Sequence, residues 1–175
     1  MGYGRRVDAC DLRIRRVFGT PTERVQEFTR VARASIDDPA VVRAAAKCER
    51  DSYEETARAC MELVQALPYR PDRPGEADDL AEPCNALRIG GDCEDLSVLL
   101  VALWAASGLA GRIIWLVQDG ASQDHVTAEV FLSSNGSRSA GWYYGEATVK
   151  GARLGEDPHK AAARLGVGRG MPGAL

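Results

Sequence analysis

Residues 90–100 read Gly90-Gly91-Asp92-Cys93-Glu94-Asp95-Leu96-Ser97-Val98-Leu99-Leu100, and the change of character across them decides the fold. The two glycines allow a sharp turn and a close approach to the backbone. Behind them, Leu96, Leu99, Leu100 and Leu103 recur at helical spacing. The pattern predicts an apolar helix from near Asp92 to Gly108, a residue suited to a left-handed cap. Cys93 then stands at a helix start, where backbone N–H groups lack helical acceptors and the local dipole favours an anion. A lowered thiol pKa is expected there. Asp92, Glu94 and Asp95 would oppose this if they faced the sulfur, whereas as caps they would occupy free N–H groups instead. The N–H of Cys93 could also point at a developing oxyanion. A cysteine in isolation is more often a small buried hydrophobe than a nucleophile, so Cys93 needs a partner to be read as chemistry.

Downstream the period changes. Arg112 to Val117 is β-favouring, Val126 to Leu132 alternates, and Trp142 to Ala147 forms a third run. Gln118 to Asp124 and Ser133 to Gly141 read as connections. Upstream the pattern is helical. Thr20, Pro21 and Glu23 make a capping box, followed by Val25, Phe28, Val31 and Ala32. Further helices are expected from about Pro39 to Cys48 and from about Ser52 to Leu67, the latter with a stripe of Ala57, Cys60, Met61, Val64 and Leu67. Leu12, Ile14 and Val17 suit a short strand or an arm. Pro68 to Glu82, with three prolines, reads as an ordered loop or a linker. Helices followed by an antiparallel meander give an α+β class. One domain over residues 1–175 is expected, with a core of about 40–160 and a flexible glycine-rich tail of about 165–175, because neither half alone could cover its apolar surface.

The composition excludes several functions. At 45% hydrophobic and 27% charged residues, the chain is too apolar for global disorder. Its net charge of −3, with both signs interspersed, argues against a nucleic-acid partner. No apolar leader opens the chain, and Val98 to Ala106 is about half the length of a membrane span. A soluble, cytoplasmic protein with no membrane partner is expected. The five cysteines, 10, 48, 60, 84 and 93, lack the even count and regular spacing of a secreted disulfide framework, and none forms a Cys-x-x-Cys pair. With only two histidines, neither a metal nor another cofactor is expected.

His125 is the partner that Cys93 needs. It opens the run His-Val-Thr-Ala-Glu-Val, and a rigid strand can hold a base to the tolerance of proton transfer. The bland alternative is a surface histidine at a strand start. His159, in Glu-Asp-Pro-His-Lys, reads as solvated. A third group should orient the imidazole. Glu146 ends the neighbouring strand and is the candidate, against the alternative of an ordinary charged strand end.

These residues carry a resemblance. Gly91-Asp92-Cys93-Glu94-Asp95 followed by Leu-Ser-Val-Leu-Leu resembles the nucleophile motif of the transglutaminase-like superfamily. His-Val-Thr-Ala-Glu-Val resembles its histidine strand, and Trp142-Tyr143-Tyr144-Gly145-Glu146-Ala147-Thr148 its acidic strand. Leu67-Pro68-Tyr69-Arg70-Pro71-Asp72 and Asp79-Leu80-Ala81-Glu82-Pro83 resemble the approach to the cysteine. The likeness spans about residues 40–160. It implies a papain-like arrangement, with the cysteine at a helix N-terminus packed on the sheet that bears the histidine. It further implies hydrolysis of a peptide, isopeptide or other amide bond through a thioester, with a peptide or protein amide as partner. The double glycine and helical lead-in are similar to members carried by tailed phages, which would imply phage structural proteins as partners and a virion location. Two departures stand out. Glu146 occupies a position that usually holds Asp, and no oxyanion side chain is evident beyond Asn85, a loop amide upstream of the cysteine. They motivate the alternative of an inactive module with a structural or binding role.

Overall fold

The computed structural model describes residues 14–72, 78–116, 125–135 and 138–166. Three helices lead, as the patterns predict. Helix α1, Pro21–Ala34, starts at the Thr20/Glu23 capping box. Helix α2, Pro39–Cys48, is capped by Asp38, and α3, Tyr53–Gln65, by Ser52. The Pro68–Glu82 stretch is more than a loop or linker. Asp78–Ala81 forms β2, which pairs antiparallel with β1, Ile14–Val17. Two aspartates make Asp78-Asp79-Leu80-Ala81 a poor intrinsic strand, so its partner sets its conformation. Earlier in the same stretch, the backbone at Tyr69 forms a parallel bridge to Gly91.

Helix α4, Pro83–Ile89, and helix α6, Pro158–Leu165, were not anticipated. Both are short and begin on proline, which suits a first helical position. Asp157 caps α6, and Gly166 closes it in the left-handed region. His159 lies exposed on α6, in keeping with a solvated reading.

Helix α5, Cys93–Ala106, is the centre of the molecule. Helices α1 to α4 pack on it, as do β3, Gly111–Leu116, and β4, His125–Leu132. Burial from Cys93 to Trp104 explains why this helix is apolar all round. The Trp104 indole N–H donates to the carbonyl of Ala57 on α3 at 3.0 Å. Strand β5, Gly141–Gly145, completes an antiparallel sheet in the order β3-β4-β5. Val126, Ala128, Val130 and Leu132 supply its part of the core. Helices on one side and a meander on the other make the fold α+β. Leu116 stands opposite His125, and Ala128 opposite Gly145. Strand β5 therefore ends before β4 reaches His125, and Glu146 follows at that opening.

Cys48 and Cys60 are buried free thiols, as expected of small apolar residues, whereas Cys84 is disulfide-bonded. Cys10 and the tail beyond residue 166 lie outside the described residues. No described helix is long and apolar enough to cross a membrane.

Candidate active site

Cys93 is the first residue of α5 and is 5% exposed. Ser97, one turn on, donates its hydroxyl to the carbonyl of Val126 at 3.2 Å. The Val126 backbone N–H hydrogen-bonds the Cys93 sulfur in turn. Two contacts to the residue after His125 thus fix the first turn of α5 against the start of β4.

His125 is itself buried, with Nε2 2.8 Å from Glu146 Oε2. Glu146 is fully buried, and its other oxygen accepts from the Thr148 backbone N–H at 2.8 Å and from the Thr148 hydroxyl at 2.6 Å. Burial alone would push the Glu146 pKa up. The hydrogen bond and charge of His125, together with the two bonds from Thr148, outweigh it and hold the pKa below the usual carboxylate value. An ionised Glu146 can only accept, so Nε2 of His125 carries the hydrogen. Nδ1 is then left with a lone pair, and it is buried with no hydrogen-bond partner among the described residues.

A glutamine holds this pair in place from behind. Gln65, the last residue of α3, donates to the Glu146 carbonyl at 2.8 Å and to the Ala152 carbonyl at 3.2 Å, while its amide oxygen accepts from the Gly151 N–H. Neither Gln65 nor Thr148 has a residue pattern of its own that points to chemistry. Thr148 sits two residues from Glu146 in the quoted motif, whereas Gln65 is 81 positions away with no local signal.

The acids around Cys93 divide their work. Asp92 and Asp95 form a reciprocal capping box, and Asp95 also accepts from the Ala81 N–H at 2.6 Å, tying α5 to β2. Glu94 turns to the nucleophile candidate instead, and the Cys93 thiol donates to its Oε2 at 3.1 Å. The expected lowering of the thiol pKa is therefore reversed. Burial first, then Glu94 and Asp92, push it well up, against a smaller opposing pull from the Val126 N–H. The helix-start effect loses because the site is closed to water and a carboxylate faces the sulfur.

Burial, followed by their mutual repulsion, also raises Asp92 to about 10. Burial is likewise the leading cause that raises Asp95 to about 8. A carboxyl whose folded pKa exceeds its unfolded value stabilises fully below the unfolded pKa, here 3.8, and loses that stabilisation as pH rises through the folded one. The melting temperature should therefore fall from pH 5 to pH 9, and Asp92→Asn should flatten the slope. Thermal melts across that range check this; a melting temperature that rises with pH would contradict it.

Asp72, Asp92 and Glu94 each offer one oxygen, all within 4.8 Å of one another, and they are the one grouping among the described residues that could hold a cation. The scarcity of histidines and paired cysteines gave no sign of it. Asn85 lies on α4, not in a loop, and is fully buried.

Residues 39–147, well over half of the chain, match the family model of the transglutaminase-like superfamily. No curated protein matches the chain, and the association with phage-borne members is not borne out.

Proposed function

The chain belongs to the transglutaminase-like superfamily, and we propose that it is a thiol hydrolase that opens an amide bond through a thioester. The buried His125–Glu146 pair, at the start of the strand that packs on α5 and with Nδ1 left without a partner among the described residues, supports this best. Nδ1 takes the thiol proton as sulfur attacks the carboxamide carbon. The imidazolium, balanced by Glu146, then gives that proton to the departing amine as the C–N bond breaks. Water, deprotonated by the same nitrogen, cleaves the thioester, releases the acid and restores the thiol. Because the resting thiol is protonated, this is general-base activation, not a standing thiolate–imidazolium pair. The substrate is a peptide or protein amide. Water is the default acceptor, which favours hydrolysis over cross-linking.

The same closed, protonated thiol favours the second reading, an inactive module with a structural or binding role. The two part on treatment with p-nitrophenyl acetate. A hydrolase releases a burst of p-nitrophenolate and gains one acetyl group on Cys93, which water then removes. An inactive module gains none at Cys93.

A further inference from the structure

The double glycine before Cys93 admits a second segment of chain to the site. Gly90 has φ +78°, and a Cβ there would stand 1.9 Å from the carbonyl oxygen of Pro68. Only glycine lets residues 68–70 run so close. At that crossing, the Gly91 N–H donates to the Pro68 carbonyl at 3.2 Å, and the Arg70 N–H donates to the Gly91 carbonyl at 2.9 Å. The residue between them, Tyr69, is bridged to Gly91, two positions before the nucleophile. Its ring is half-buried and packs on the main core. Two backbone hydrogen bonds and a packed ring give Tyr69 a fixed place next to the start of α5.

We propose that the Tyr69 hydroxyl is an oxyanion donor of the Cys93 site, positioned by the backbone bridge between Tyr69 and Gly91. This deepens the hydrolase reading and rests on Cys93 being the acyl acceptor. As the thiol sulfur adds to a carbonyl carbon, the C=O π pair moves onto oxygen, and the phenol O–H and the Cys93 backbone N–H bond that oxygen. When the tetrahedral species collapses, the pair returns to carbon and the leaving group departs, so Tyr69 donates a hydrogen bond and keeps its proton. Such a donor must stay neutral. Burial first, and then Cys93, Asp92, Glu94 and Asp72 as each of them ionises, hold the Tyr69 phenol well above its usual pKa. It remains a protonated donor wherever the thiol chemistry can run. The role also explains why no side-chain donor is evident near the cysteine in sequence: the hydroxyl arrives from 24 residues upstream, and a phenol does not announce itself as an oxyanion group as an amide does.

The test compares two reactions of the same sulfur in the full-length protein. Acetylation by p-nitrophenyl acetate passes through an oxyanion, whereas alkylation by iodoacetamide does not. Peptide mass spectrometry reads the rate of each at Cys93 in wild type and in Tyr69→Phe. The variant keeps the ring and removes only the hydroxyl. Loss of an oxyanion donor should slow acetylation about 10²-fold, with alkylation within about twofold of wild type and an unchanged melt. Equal acetylation in both proteins would overturn the proposal. So would a parallel loss of both reactions, which would place the hydroxyl on the thiol or the fold. A wild-type Cys93 that is alkylated but never acetylated would instead overturn the hydrolase reading, and the proposal with it.

Discussion

Cys93→Ser should abolish acetyl transfer while the protein melts within about 2 °C of wild type. A serine hydroxyl is a far weaker nucleophile than a thiol at neutral pH, and losing the nucleophile of a coupled set should cost about three orders of magnitude or more. Stability should hold, because the local hydrogen bonds survive the exchange. The thiol donates to Glu94 at 3.1 Å and accepts from the Val126 N–H, and a hydroxyl can do both. A merely structural cysteine would leave the burst intact, so the burst separates the two roles and the melt shows that the fold has survived. Melting and burst kinetics on one preparation separate the cases. A lowered melt with an intact burst would return Cys93 to the core.

Glu146→Gln carries the second large effect. The glutamine oxygen can replace the carboxylate oxygen that accepts from Thr148, so the buried loop keeps its bonds. The amide NH2 then faces His125 Nε2, where the carboxylate oxygen stood at 2.8 Å. Two donors cannot bond, so the ring takes the other tautomer, with the hydrogen on Nδ1. The nitrogen left for Cys93 can then no longer accept its proton. A tautomer error of this kind costs about 10⁴-fold in a triad enzyme. Burst kinetics should show that loss with the melt largely preserved. Turnover close to wild type would remove Glu146 from the machinery and leave it a buried structural acid. Glu146→Asp, one methylene shorter, should open the 2.8 Å contact and lie between the two in activity.

Local sequence was enough for the residues that carry their own signals. The capping box at Thr20, the leucine spacing after Cys93 and the alternation after His125 each produced the element they predicted. The order of strands brought Glu146 to His125 because adjacent antiparallel strands bring their facing ends together. Features that depend on distant chain were not legible. Strand β2 exists through its pairing with β1, about 60 residues away, and Gln65 reaches Glu146 from another helix. The sign of the Cys93 pKa shift was lost for the same reason. A helix start promises a lowered pKa, but burial and the direction in which Glu94 points are tertiary facts. Asn85 stands on a helix of seven residues, too short a pattern for its sequence to distinguish from a loop.

Competitive labelling tests the central claim most directly, because thiol acidity and base assistance predict different targets. Cys48 is the described cysteine whose pKa is lowered, chiefly by a hydrogen bond from Cys60, while that of Cys93 is pushed up. Acidity alone would direct limiting iodoacetamide at pH 7 to Cys48. If His125 serves Cys93, mass spectrometry should find Cys93 labelled first in wild type, and this preference should disappear in His125→Ala. Preferential labelling of Cys48 or Cys60 in wild type, or the same Cys93 rate with and without His125, would contradict the account.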